Sequence, residues 1–147
     1  MNIAIGADHR GFSTKAYVKQ YVVGGDDPIA WIDTGAFDEE RSDYPIFAQA
    51  VCQSILQGDA QRGVLICGSG IGMAVTANRF PGIYAGVAWN EQVARHGREN
   101  DNVNVLVIPS DFVSPEQAAA IITAWLSVEF KGGRYQERID MINALKE

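Results

Sequence analysis

Cys67 stands directly before Gly68-Ser69-Gly70-Ile71-Gly72, a run in which every second residue from 68 to 72 is glycine. Alternate glycines free the backbone for a tight turn into a helix, and exposed amides beside a helix N-terminus stabilise negative charge. The same field is expected to lower the Cys67 thiol toward neutrality, leaving a thiolate that accepts protons. Ser69 adds a hydroxyl donor inside the turn. A second group, Ala7-Asp8-His9-Arg10-Gly11-Phe12, sets a carboxylate, an imidazole and a guanidinium side by side, and His9 suits proton transfer or phosphate contact. Arg134 and Arg138 are four residues apart, so a helix puts both on one face, where they can grip a phosphate. Each feature has a plainer reading. Cys67 suits a small buried hydrophobe, Asp8 a helix N-cap, and the arginines a solvated face with Glu137 and Asp140.

These residues need a scaffold that brings them together. Short β-prone runs recur at Asn2 to Ala7, Ala30 to Thr34, Gly63 to Cys67, Ile83 to Trp89 and Asn104 to Ile108. Between them lie stretches of helical period, such as Tyr44, Phe47, Ala48, Val51, Cys52 and Ile55. Alternation of this kind predicts a doubly wound α/β fold, a Rossmann-like three-layer sandwich around a roughly five-stranded parallel sheet. Ligands of such sheets bind beyond the carboxyl ends of the strands, and Cys67 and Asp8 both follow strands. A helix is expected from Met73 to Arg79 and another from Ser114-Pro115-Glu116 to about Phe130, where Lys131-Gly132-Gly133 breaks it. A last helix, Arg134 to Leu145, has no following strand and is expected to dock on a partner subunit.

At 147 residues with 47% hydrophobic and 20% charged composition, residues 1–147 are read as one domain with no repeat or linker. The net charge of −6 argues against nucleic acid as a partner. Cys52 and Cys67 form neither a disulfide framework nor a metal-ligand spacing, so reduced thiols and no metal are expected. Apolar residues 1–7 meet Asp8-His9-Arg10 too soon for a signal peptide, and no run is long enough to span a bilayer; a cytoplasmic location follows by elimination.

Together with Asp43-Tyr44-Pro45, Ala77-Asn78 and Gly132-Gly133-Arg134-Tyr135-Gln136-Glu137-Arg138, these motifs make the sequence resemble the type B ribose-5-phosphate isomerases and the related galactose-6-phosphate isomerase subunits. The resemblance implies aldose–ketose isomerisation of a phosphorylated sugar through a cis-enediolate, without metal or cofactor. Ribose 5-phosphate stands first as substrate; allose 6-phosphate, galactose 6-phosphate or a tetrose phosphate are alternatives. It implies Cys67 as base, with Ser69, Asp8, His9 and Asn100 completing the catalytic group. Gly68, Gly70, Gly72, Tyr44, Asp101, Arg134 and Arg138 would bind substrate and phosphate. The family builds its site at a dimer interface, so a homodimer or a dimer of dimers is expected. A non-catalytic module that binds a phosphosugar is the contrasting reading. A dinucleotide oxidoreductase is disfavoured, since Asp8-His9-Arg10 follows the first strand where Gly-x-Gly-x-x-Gly would belong.

Two positions depart from the family pattern. Its ring-opening histidine lies in a His-Asn-Asp stretch, where this sequence reads Glu99-Asn100-Asp101-Asn102. An ungapped count puts Asn100 in that place and a one-residue shift puts Glu99 there. His96, one helical turn earlier, is a candidate replacement; His9 or spontaneous opening are the others. A phosphate-binding arginine expected after the fifth strand is replaced by Asp111, whose charge is expected to repel phosphate.

Overall fold

A computed structural model describes residues 1–145. Five strands, β1 (Asn2–Ala7), β2 (Ala30–Asp33), β3 (Arg62–Cys67), β4 (Ala85–Val87) and β5 (Val105–Pro109), form one parallel sheet in the order β2-β1-β3-β5-β4. Helices α1 (Phe12–Tyr21), α2 (Tyr44–Leu56), α3 (Ile71–Ala77) and α4 (Glu91–Asp101) make the four crossovers, and α5 (Pro115–Leu126) and α6 (Arg134–Asn143) follow the last strand. The α/β three-layer sandwich is the expected class.

Alternation along the central strands sorts side chains into two cores. Ile3, Ile5, Val64, Ile66, Leu106 and Ile108 pack with Val18 of α1, Ala94 of α4 and Ile121, Ile122 and Trp125 of α5. Ala4, Leu65, Cys67, Val105 and Val107 pack with Val51 and Cys52 of α2 and Met73 and Ala77 of α3. Because both faces are covered, β3 and β5 are buried throughout and read as continuous apolar runs.

The edge elements differ from the sequence expectation. β4 is shorter than Ile83 to Trp89, since Asn104 holds the preceding residues in a turn: its side chain accepts from the Tyr84 amide and donates to the Gly82 carbonyl. α3 starts at Ile71 rather than Met73 and stops at Ala77, where the Asn78 side chain bonds both main-chain groups of Ala85. α5 has the expected capping box at Ser114 but ends at Leu126.

No helix of the described residues is long and apolar enough to cross a membrane.

Candidate functional site

The three central strands end level. Ala7 is in register with Ile66, and Cys67 with Pro109, so residues 8–11, 68–72 and 110–111 leave the sheet side by side at its carboxyl edge. Crossover directions diverge between β1 and β3, which opens a crevice there.

Cys67 ends β3 with its side chain in the α2–α3 layer, 4% exposed. Gly70 turns the chain into α3 with φ 76°, a conformation glycine adopts readily, and its amide donates to Cys67 Sγ at 3.2 Å. Burial pushes the Cys67 thiol up from its ordinary value; the amides of Gly70, Met73 and Ser69 pull it back, and the Asp8 carboxylate pushes the same way as burial. The expectation of a thiol lowered toward neutrality is thus corrected. The donors are present, but desolvation of the charged form outweighs them. Ser69 Oγ accepts from the Ile71 amide at 3.2 Å, which leaves its one O–H free to donate.

Asp8 is buried, and its Oδ1 accepts the amides of Arg10 at 3.0 Å and Gly11 at 3.2 Å, fixing the start of α1. His9 is held by Ser42. Its amide donates to Ser42 Oγ at 3.1 Å, and its Nδ1 accepts the Ser42 amide at 3.2 Å, which in the neutral ring places the proton on Nε2. Ser42 escaped the sequence reading, because one serine in a polar loop carries no periodic signal. Tyr44 reaches the glycine turn: a Cβ at Gly72 would lie 2.5 Å from its ring. Asp111 forms an ion pair with Arg10, so its charge is neutralised rather than left free to repel a phosphate.

Lys15 and Asp33 support this edge from below. Lys15 Nζ, on α1, donates to Asp33 Oδ1 at 2.7 Å and to the Ala36 carbonyl, and Lys19 reaches Asp33 Oδ2 at 2.8 Å. Burial alone would raise the Asp33 carboxyl, but the two lysines and the Gly35 amide hold it below its ordinary value. Among the described residues, no three His, Cys, Asp or Glu side chains converge as a metal site.

Asn100, Asp101, Arg134 and Arg138 lie elsewhere. α4 leaves the carboxyl edge after β4 and returns, so Asn100 and Asp101 occupy its last turn, just before β5 enters the sheet. α6 is tied to the same amino edge. The Lys131 amide donates to the Glu99 carbonyl at 3.0 Å, Lys131 Nζ pairs with Glu99, and Tyr84 Oη donates to Asn143 Oδ1 at 2.8 Å. A six-residue strand is about 20 Å long, so within one chain these residues do not meet Cys67. The Arg134 and Arg138 guanidinium groups sit over the Tyr135 ring at 5.2 and 5.6 Å, and Arg134 donates to Tyr135 Oη at 3.3 Å. His96 does join Asn100 as the helical spacing predicts, with Asn100 Nδ2 at 2.8 Å from His96 Nδ1. Ile139 is the buried residue of α6, while Met141 and Ile142 are exposed.

Residues 3–142 match the family model described as Ribose/Galactose Isomerase. The chain is 37% identical over 145 residues to ribose-5-phosphate isomerase B of Escherichia coli, covering 99% of this chain and 96% of that one. It is 33% identical over 145 residues to D-erythrulose-4-phosphate isomerase of Pectobacterium atrosepticum, covering 97% and 93%. A solved structure of a ribose 5-phosphate isomerase from Thermotoga maritima superposes with a TM-score of 0.93 at 41% identity, covering 98% of each chain.

Proposed function

Since the chain belongs to the ribose/galactose isomerase family and is a sugar-phosphate isomerase, we propose that it interconverts ribose 5-phosphate and ribulose 5-phosphate with Cys67 as the base. The observation that carries this reading is a thiol at the exit of the central strand, with the Gly70 amide 3.2 Å from its sulfur and a free Ser69 hydroxyl in the same turn.

In the forward direction the Cys67 thiolate takes the C2 proton of the open-chain aldose. The electron pair forms the C1–C2 double bond as the carbonyl pair moves onto O1; the C2 hydroxyl proton passes to O1, leaving the charge on O2, and the thiol returns its proton to C1 as the C2 carbonyl forms, giving the ketose. Negative charge develops on the two oxygens, where the loop amides and the Ser69 hydroxyl act as fixed donors. Gly68, Gly70 and Gly72 keep the turn narrow enough for close approach, and Tyr44 borders it. Asp8 orients the start of α1. His9 presents an Nε2 proton and His96 lies beside Asn100; either supplies the acid/base help for ring opening.

The phosphate clamp, Arg134 and Arg138, comes on this reading from a second copy of the chain, together with Asn100 and Asp101. Support lies in the strand-length separation of the two groups and in the exposed Met141 and Ile142 of α6. A homodimer is the smallest assembly that completes the site, and the cytoplasm, where both thiols stay reduced, is its setting. The relative that isomerises D-erythrulose 4-phosphate makes a tetrose phosphate the second substrate reading.

Exchange of the C2 proton with solvent, followed by NMR across a panel of phosphosugars, tests the assignment. Exchange and turnover are expected to be fastest with ribose 5-phosphate. Faster turnover of a tetrose phosphate would transfer the assignment to that substrate.

A further inference from the structure

Arg10 has more tethers than an exposed arginine needs. Its amide donates to Asp8 Oδ1, its carbonyl accepts from Ser110 Oγ at 3.3 Å, and its Nη2 pairs with Asp111. The one proton of Ser110 Oγ is shared with the Cys67 carbonyl at 3.1 Å, and the Asp111 amide donates to the Gly68 carbonyl at 3.0 Å. The exits of β1, β3 and β5 are therefore linked through the main chain of Arg10 and Ser110-Asp111, and Asp111 holds the Arg10 guanidinium above them. That pair rests on the glycine turn: a Cβ at Gly68 would lie 2.7 Å from both Arg10 Cζ and Asp111 Oδ2. Arg10 thus sits over the residue next to Cys67, yet its side chain remains 57% exposed. Exposed ion pairs add little to stability, so folding does not account for the Arg10–Asp111 pair. What it does fix is the direction of a five-donor fork, of which Asp111 occupies only part.

We propose that Arg10 binds the phosphate of the substrate at the carboxyl edge, with Asp111 as the positioning residue that aims its guanidinium. The proposal rests on the phosphosugar reading above. Asp111 cancels much of the local charge, so the contact works through directed hydrogen bonds rather than long-range attraction. It selects sugars whose phosphate reaches Arg10 while C1 and C2 reach Cys67. In the two-chain site the phosphate is then held from both sides, by Arg10 of the chain that supplies Cys67 and by Arg134 and Arg138 of the other copy.

Calorimetric titration of the full-length protein with inorganic phosphate tests this without turnover. Arg10→Ala is expected to weaken phosphate binding about tenfold or more and to raise KM for the phosphosugar by a similar factor, the loss falling on KM rather than kcat. Asp111→Asn is expected to weaken both about threefold, and Arg10→Lys to fall between, because a lysine keeps charge without the fork. An unchanged thermal midpoint in all three separates lost contacts from unfolding. Phosphate affinity and KM within twofold of the unmutated protein, or a fall in kcat alone, would overturn the proposal. If the unmutated protein turned over no phosphosugar while Arg10→Ala still weakened phosphate binding, the isomerase reading would fail and the anion site would stand.

Discussion

At the carboxyl edge of the sheet the reactive side chains are held by main-chain groups, whereas at the amino edge Asn100, Arg134 and Gln136 are held by other side chains. Asp8, His9, Cys67 and Ser69 each accept a backbone amide. Asn100 meets His96, Arg134 meets Tyr135, and Gln136 meets Asp140. Main-chain partners cannot change rotamer, so the first edge suits chemistry in which a misplaced atom costs rate. Long side chains on an exposed helix face suit gripping a mobile phosphate. On the proposed reading, the reaction belongs to one edge and substrate capture chiefly to the other.

The sharpest way to break that division is at Cys67. Cys67→Ala is expected to lower kcat about 10³-fold, the scale of a lost general base, with little change in KM. Because burial raises the thiol, kcat/KM of the unmutated protein is expected to climb with pH above neutrality as the thiolate forms. A variant within tenfold of normal kcat, or a profile flat through the alkaline range, would remove the base from this edge.

The strut beneath the same edge comes next. Asp33→Asn leaves the 2%-exposed Lys15 without its carboxylate and is expected to cost about 2–3 kcal/mol of stability by urea unfolding. Asp33 is held below its ordinary value, so its contribution is present above the usual carboxylate range and lost as pH falls through the lower folded-state pKa. The variant should therefore lose less stability on acidification than the unmutated protein. Equal acid sensitivity would show the strut to be inert.

At the amino edge the effects are smaller. Arg138→Ala is expected to raise KM about fivefold with the thermal midpoint unchanged, since the residue is exposed and its contacts are solvent-screened. A kcat defect as large as that of Cys67→Ala would erase the distinction between the edges.

Much of the carboxyl edge was legible because strand runs and strand exits are local in sequence. Cys67, Asp8 and the glycine turn could be placed by asking which residues follow an apolar run. The pairs Arg10–Asp111, His9–Ser42 and Lys15–Asp33 were not, because they join residues 101, 33 and 18 positions apart and leave no periodic trace. The thiol shift was misjudged by counting donor amides without the burial that opposes them. One signal was available for the separation of Asn100 from Cys67 within the chain: Asn100 precedes the Asn104 to Ile108 run, so it belongs at a strand entrance, the opposite edge from Cys67. The one-turn spacing of His96 and Asn100 was readable and is met in α4.

Mixing two variants, each defective at one edge and both assayed at phosphosugar far below KM, tests the divided site most directly. Cys67→Ala retains the amino-edge clamp, and Arg134→Ala/Arg138→Ala retains the base. If the edges of two copies complete one site, equal amounts unfolded and refolded together should regain about a quarter of normal activity, because half the dimers are mixed and each of those carries one intact site. A mixture no more active than the sum of the separate variants, although the two copies demonstrably co-assemble, would contradict the account.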